Sequence, residues 1–286
     1  MSGGTVAVAV LAHRDAPLLH RLVSRVLEGD RTVVLVHHDP RGADPGLVPD
    51  DRVRLVPDPQ PCDWGRMNLA DAMLRCLDEA ARTVPDLEWL LLVSGQDYPA
   101  QDLRLTEQDL DRCDDDARLR WFEVAPEPRP GEIPWQQRCR QRYLHRMRVP
   151  GSHRSIPFPR RHPFRDGTSL YVGDMWVNLR ASAVHHVLEQ HRRRPELRSY
   201  LSRCSVPDEA LLPSLLLNDA EQLRIGSDRK RWIRWVEGSP NPELLTPADV
   251  PGIAASGDYF ARKVDSVQTP EVLDLLDAAA RRDVVG

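Results

Sequence analysis

The sequence, 286 residues long, predicts an α/β fold: a single domain with a mostly parallel sheet flanked by helices. Segments typical of strands and of helices alternate through the first hundred residues, which is the pattern of a parallel sheet with helices on both faces. The first three segments form a βαβ unit. Residues 89–93 are five successive apolar residues. Such a run is too short for a helix and suits a strand buried on both sides.

The N-terminal elements follow from apolar periodicity and helix capping. The βαβ unit begins with an alternating apolar strand, and Asp15 can cap the helix after it. Such a unit almost always winds right-handed. The predicted elements are strands over 5–13, 31–39, 53–56 and 89–93, and helices over 16–28 and 68–83.

The C-terminal half continues the alternation without a linker or an internal repeat. Pro207 suits the first position of a helix, because its missing N–H is not needed there. Thr246 can cap a further helix. The predicted strands are 168–179, 231–235 and 259–264, and the predicted helices are 181–191, 207–218, the one after Thr246, and 270–281.

Residues 131–166 differ from the rest of the chain in charge. Nine arginines and three histidines occur between Glu132 and Asp166 without an acidic residue. Such a composition predicts a mobile surface loop. Its Arg-rich part, 138–165, has two interpretations: a cationic arm that attracts a phosphorylated ligand, or a solvated run of charge without a role.

The overall composition excludes several classes of protein. A net charge of −4 and a pI near 6.2 argue against a dedicated nucleic-acid binder. The longest apolar run, 6–12, is too short to span a bilayer and no leader precedes it, so we expect a soluble, cytoplasmic protein. Five widely spaced cysteines without a Cys-x-x-Cys pair predict reduced thiols. No phosphate-binding glycine motif or Gly-x-Ser-x-Gly elbow is present.

A polar turn, Ser94-Gly95-Gln96-Asp97, directly follows the apolar run and is closed by Pro99. Ligands of open α/β sheets bind outside the carboxyl ends of the strands, so Asp97 is predicted to hold a polar substrate. The alternative is an aspartate that only caps a turn.

Two other segments carry candidate charges. Asp208 and Glu209 lie in the first turn of a predicted helix, where the positive end of the dipole stabilises their charged forms. Ordinary capping is the alternative. Arg262 and Lys263 could offer a fork of donors and a point charge to a phosphate. In an ideal strand, neighbouring side chains point to opposite faces, so Arg262 and Lys263 could share a ligand only at a strand end or a bulge. The alternative interpretation is that they form a surface salt bridge.

No metal site is predicted. The pairs His37-His38 and His185-His186 are adjacent, so their side chains diverge. The run Asp114-Asp115-Asp116 is interpreted as a solvated acidic turn, because it does not follow a buried strand.

Taken in order, the motifs resemble those of the core-2/I-branching enzyme family, glycosyltransferases that include β-1,6-N-acetylglucosaminyltransferases and peptide O-xylosyltransferases. The resemblance implies a GT-A-type α/β fold, a UDP-sugar donor, and inverting transfer to a hydroxyl with no obligatory metal or other cofactor. The matching segments are Ala12-His13, Val36-His37-His38-Asp39, Asp63-Trp64-Gly65, Leu92 to Pro99, Gly173 to Trp176, Ser205 to Glu209 and Phe260 to Lys263.

The resemblance also implies roles for residues. Glu209 matches the catalytic base, and Arg262 with Lys263 matches the cations that hold the donor diphosphate. Val206 is inserted where the family commonly has Ser-Pro-Asp-Glu, and Asp174-Met175 stands where Ser and a polar residue are common, which leaves the acceptor open. The other implied site residues are His13, Asp39, Trp64 and Gly65 for the nucleotide, Ser94, Gln96 and Asp97 in the donor crevice, and Asp174 and Trp176 on the acceptor side.

We therefore expect a bacterial-type inverting glycosyltransferase that transfers N-acetylglucosamine or xylose to a small-molecule or glycan hydroxyl. Residues 1–130 would bind the nucleotide sugar, 131–166 would form the basic loop, and 167–286 would bind the acceptor and the diphosphate. Two rival hypotheses are a polyanion or nucleic-acid binder that uses 138–165 and a non-catalytic sugar-nucleotide binding protein.

Overall fold

The computed structural model describes residues 3–282, except positions 150, 153, 159–160, 165–166, 237–238 and 240. Six of those exceptions belong to the predicted basic loop, 131–166, and this part of the loop prediction lies outside the described residues. The described residues form a mixed α/β fold, and this confirms the predicted fold class.

Among the described residues, seven strands form the central sheet. Across the sheet they are β12 (Ile225–Gly226), β6 (Ala117–Arg118), β11 (Asn178–Arg180), β4 (Leu87–Ser94), β1 (Thr5–Ala12), β2 (Thr32–His38) and β3 (Val53–Leu55). Strands β4, β1, β2 and β3 run parallel, whereas β11 runs antiparallel to both of its neighbours. The prediction of a mostly parallel sheet is therefore confirmed.

Helices cover both faces of this sheet. Alternate residues of β1 pack into two different apolar clusters: Val8 packs in the cluster that includes Leu22, and Ala9 in the cluster that includes Met73. The helices are α1 (Ala16–Val26), α2 (Met67–Thr83), α3 (Leu103–Asp111), α4 (Pro134–Arg140), α5 (Ala181–Arg193), α6 (Pro195–Leu201), α7 (Asp208–Leu217), α8 (Val250–Ala254) and α9 (Pro270–Arg282). A π-helical turn (Gln141–His145) follows α4, and a 3-10 turn (Pro247–Asp249) precedes α8.

Three smaller sheets complete the described part of the fold. They are β13 (Arg231–Ile233) with β14 (Phe260–Arg262) and β5 (Asp97–Pro99), β7 (Trp121–Glu123) with β10 (Tyr171–Gly173), and the hairpin of β8 (Arg146–Arg148) with β9 (Ser155–Pro157). The antiparallel pairing of β14 with β5 sets Arg262 directly opposite Asp97. This small sheet thus brings the C-terminal cations to the polar turn that follows β4.

Two sequence predictions are wrong here. The strand predicted over 168–179 is two strands in different sheets, β10 and β11. The surface loop predicted over 131–166 instead contains α4, the π-helical turn and the β8–β9 hairpin, and the side chains of Cys139 and Tyr143 are buried. Within the described parts of the chain, none of the helices combines the length and the apolar character needed to cross a membrane.

Candidate active site

A cavity of about 1180 Å³ lies beside the carboxyl ends of β1, β2 and β4, the edge at which open α/β sheets bind ligands. The structure brings together nine of the predicted site residues on its wall: His13, Trp64, Ser94, Gln96, Asp174, Trp176, Glu209, Arg262 and Lys263. The other three, Asp39, Gly65 and Asp97, are buried and do not line the cavity.

Part of the cavity wall, which we call the cationic end, carries basic residues. Arg262 and Lys263 both line it, which strand alternation permits because β14 ends at Arg262. Arg14, which follows the end of β1, lines the same cavity. The pKa of Lys263 is lowered by its partial burial and by the positive charges of Arg262 and Arg14. Three like charges in one cavity repel each other, so an anion bound there would be favoured. Arg14 was missed from the sequence, although its place after a strand's carboxyl end was a usable signal.

A buried ion cluster supports this cationic end. Asp97 is fully buried; its Oδ1 lies 2.5 Å from Nη1 of Arg231, and its Oδ2 lies 3.4 Å from Nη1 of Arg262. The backbone N–H of Ser94 donates to Oδ2 at 2.6 Å. Burial alone would raise the pKa of Asp97, but Arg262, Arg231 and the Ser94 bonds outweigh burial and lower it. Asp97 therefore holds two arginines and does not reach the cavity, contrary to the expectation that it binds substrate.

The cluster carries one uncompensated positive charge, because two arginines face one aspartate. Nε of Arg262 is buried and has no hydrogen-bond partner among the described residues. The guanidinium carbon of Arg262 lies 4.8 Å from the ring centroid of Trp176, a cation–π contact. Trp176, implied to lie on the acceptor side, thus also packs on the cationic end.

Asp39 is buried and forms hydrogen bonds that support the predicted nucleotide pocket. Both of its carboxylate oxygens accept hydrogen bonds from Arg41, and Oδ2 also accepts one from the backbone N–H of Cys62 at 2.8 Å. The Arg41 bonds outweigh burial and hold the pKa of Asp39 well below its usual range. Asp39 therefore fixes the segment that leads into Trp64, whose side chain is exposed at the cavity.

Gly65 joins this segment to α7. Its φ of +67° lies in the region that favours glycine, and its carbonyl accepts a hydrogen bond from the backbone N–H of Val206 at 3.1 Å. The carbonyl of Val206 in turn accepts a hydrogen bond from the hydroxyl of Tyr143 at 2.7 Å. The inserted Val206 thus links the Trp64 turn, the start of α7 and the Arg-rich segment.

Another part of the wall, which we call the acidic end, carries carboxylates. Glu209, in the first turn of α7, lines it, and Oε2 lies 3.2 Å from Nη1 of Arg142. Burial and the charge of Asp174 raise the pKa of Glu209, and Arg142 opposes them. Burial and Glu209 raise the pKa of Asp208 to about 7. The sequence predicted that the helix dipole stabilises the charged forms of both residues, but burial outweighs that effect here.

Aromatic residues dominate much of the remaining wall. Asp174 lies among them and pairs with Nη1 of Arg229 at 3.1 Å. The tryptophans that line the cavity are five of the seven in the sequence: Trp64, Trp121, Trp135, Trp176 and Trp235.

The residues interpreted as an acidic turn take no part in the cavity wall. Asp115 pairs with Arg118, and Asp116 accepts hydrogen bonds from the Ser182 hydroxyl and the backbone N–H of Arg224. In the described ranges, no group of three or more His, Cys, Asp or Glu residues could hold a metal ion.

Comparison with known proteins identifies the family. The model of the Core-2/I-branching enzyme family matches residues 6–252. A search of curated proteins found no match. Because the matched range covers most of the chain, the protein belongs to the Core-2/I-branching enzyme family, which is a family of glycosyltransferases. The resemblance seen in the ordered motifs is thereby confirmed.

Proposed function

We propose that this glycosyltransferase is an inverting enzyme that transfers N-acetylglucosamine or xylose from a UDP-sugar to an acceptor hydroxyl without a metal ion. The observation that carries the proposal is the charge distribution of one cavity. Arg262, Lys263 and Arg14 line one part of it, and Glu209 lines another. A diphosphate sugar requires this combination, since its phosphates need cations while the attacking hydroxyl needs a base.

The cationic end would stabilise the departing diphosphate. Negative charge grows on the leaving phosphate as the glycosidic bond breaks, and preorganised cations at that point lower the barrier. The Asp97–Arg231–Arg262 cluster fixes Arg262 in the wall before substrate arrives, and Lys263 adds a compact charge beside it. We propose that these side chains perform the charge neutralisation for which other enzymes use a divalent ion.

Glu209 would act as the general base. A positioned base removes the proton of the attacking hydroxyl and contributes roughly 10²–10⁴-fold to the rate. The raised pKa of Glu209 makes it a better proton acceptor than an exposed glutamate, and Arg142 keeps its ionised form accessible. His13 and Trp64 line the wall near the ends of β1 and β2, and we assign them to the nucleotide.

The donor assignment is tested by titrating UDP, GDP and dTDP sugars in a thermal-shift assay in the presence of EDTA. A ligand that binds only the folded state raises the melting temperature, and we expect UDP-sugars to give the largest rise. Lys263→Ala should weaken UDP affinity about tenfold or more. A strict Mn²⁺ requirement would refute the metal-free proposal, and binding that falls steeply with salt but ignores UDP would favour a polyanion binder.

Glu209→Gln tests the base directly. The amide keeps the shape of the side chain but accepts no proton, so transfer should fall by about 10²-fold or more while UDP affinity stays nearly unchanged. The control is Glu189→Gln, because Glu189 belongs to α5, its side chain is 43% exposed, and it does not line the cavity. Turnover retained by Glu209→Gln would show that another group is the base.

A further inference from the structure

We propose that the acceptor of this enzyme carries an apolar group, an aryl or alkyl substituent, next to its reactive hydroxyl. The group would bind to Trp121, Phe122, Ile133 and Trp135, which we call the apolar wall and which all line the cavity. This inference rests on the proposed function and names the chemical class of its second substrate.

The apolar wall is unusual in its exposure. Trp121, Ile133 and Trp135 are 42%, 55% and 39% exposed, and the rings of Phe122 and Trp135 pack with centroids 4.7 Å apart. Single exposed apolar residues are ordinary, but a group of them in one concave surface marks a binding site. An apolar ligand group would remove these side chains from water and gain the free energy of burial.

The apolar wall belongs to the elements that flank Glu209. Gly173 of β10 pairs with Trp121 of β7, and Asp174, which raises the pKa of Glu209, follows directly. Ile133 and Trp135 lie at the start of α4, which continues through the π-helical turn to Arg142, the ion-pair partner of Glu209. The occupant of the wall is therefore the substrate that Glu209 would deprotonate.

The chemistry of the wall favours an apolar group over a further sugar. Ile133 offers neither a hydrogen-bonding side chain nor an aromatic face. Oε1 of the adjacent Gln136 already accepts the backbone N–H of Ile133 at 3.1 Å. The cavity of about 1180 Å³ also exceeds the roughly 300–1,000 Å³ of usual small-molecule sites, so donor and substituted acceptor have room together.

The experiment compares benzyl and methyl β-glycosides of galactose, glucose and xylose by isothermal titration calorimetry with UDP saturating. For at least one sugar, the benzyl glycoside should bind ten or more times tighter than its methyl partner, which corresponds to about 1.4 kcal/mol. Ile133→Ser and Trp135→Ala should reduce that ratio to below about threefold. Val267→Ser, a matched change at an 83% exposed residue outside the cavity wall, should leave it unchanged.

Each other outcome overturns the inference. Equal affinities, no binding of any benzyl glycoside, or a ratio that survives both variants would show that the wall does not bind an apolar group. Tighter binding of a disaccharide than of the benzyl glycoside would make it a sugar platform. Failure of UDP itself to bind would instead refute the proposed function, so the two failures are distinguishable. Thermal unfolding confirms that the variants are folded, and Ile133→Ser is the safer of the two because Ile133 is exposed.

Discussion

Asp97 and Asp208 are both buried aspartates beside the same cavity, 0% and 3% exposed, yet the protein gives them opposite proton affinities. The pKa of Asp97 lies below its usual value, whereas that of Asp208 is raised to about 7. Burial raises both pKa values. The difference arises from their neighbours, because two arginines face Asp97 while Asp208 lies next to another carboxylate, Glu209.

This difference indicates how one cavity maintains two charge environments. Asp97 stays ionised and fixes cations in the wall, so the end built on it is positive at any physiological pH. Oδ1 of Asp208 is buried without a hydrogen-bond partner among the described residues, and its carboxyl can gain or lose a proton near neutral pH. The acidic end therefore changes its charge near neutral pH, whereas Asp97 and the arginines of the cationic end stay ionised. The following substitutions test that contrast.

Asp97→Asn should give the largest effect. It leaves Arg231 and Arg262 buried without an anion, and breaking a buried ion cluster in this way costs roughly 3–5 kcal/mol of unfolding free energy. Urea unfolding measures the loss. The matched control is Asp102→Asn. Asp102 is the buried N-cap of α3, but the side chain of its partner Arg104 is 42% exposed, and asparagine is a good N-cap. If Asp97→Asn loses no more than the control, the cluster is not the source of the cationic end's rigidity.

Asp208→Asn should have a smaller, pH-dependent effect. A pKa raised to about 7 means that the fold favours the protonated form. The protonated carboxyl of Asp208 therefore stabilises the folded state below about pH 4, and this stabilisation is lost as the pH rises through 7. Relative to wild type, the melting temperature of the variant should therefore rise between pH 5 and pH 8.5. A difference that does not change with pH would mean that Asp208 is ionised throughout.

The sequence alone was sufficient to predict features that depend on residues close together in the chain. The apolar runs of β1, β2 and β4 carry their own signal, and the rule for carboxyl strand ends then locates the cavity. The roles of Arg231 and Arg142 had no such signal. Arg231 meets Asp97 across 134 residues of chain, and Arg142 meets Glu209 across 67. Only tertiary packing creates these pairs.

The Arg-rich segment shows a different limit of prediction from the sequence. Its composition predicted a loop, but Trp135, Cys139 and Tyr143 recur at every fourth residue, which is a helical stripe. Cys139 and Tyr143 are buried in the structure. The periodicity was a better guide than the average charge, because Cys139 and Tyr143 pack in the apolar core.

Arg142→Met should give the smallest effect, a change in the pH dependence of transfer. Glu209 must be ionised to act as a base, so activity falls as the pH drops through its pKa. Arg142 lowers that pKa, so its loss should move the midpoint of kcat/KM upward. The shift should be small because both side chains are about one-third exposed. Activity would therefore fall more at pH 6 than at pH 8. Arg142→Lys should restore the midpoint because it restores the charge. An equal loss at every pH would mean that Arg142 only supports the start of α7, and the acidic end would then owe its proton affinity to burial alone.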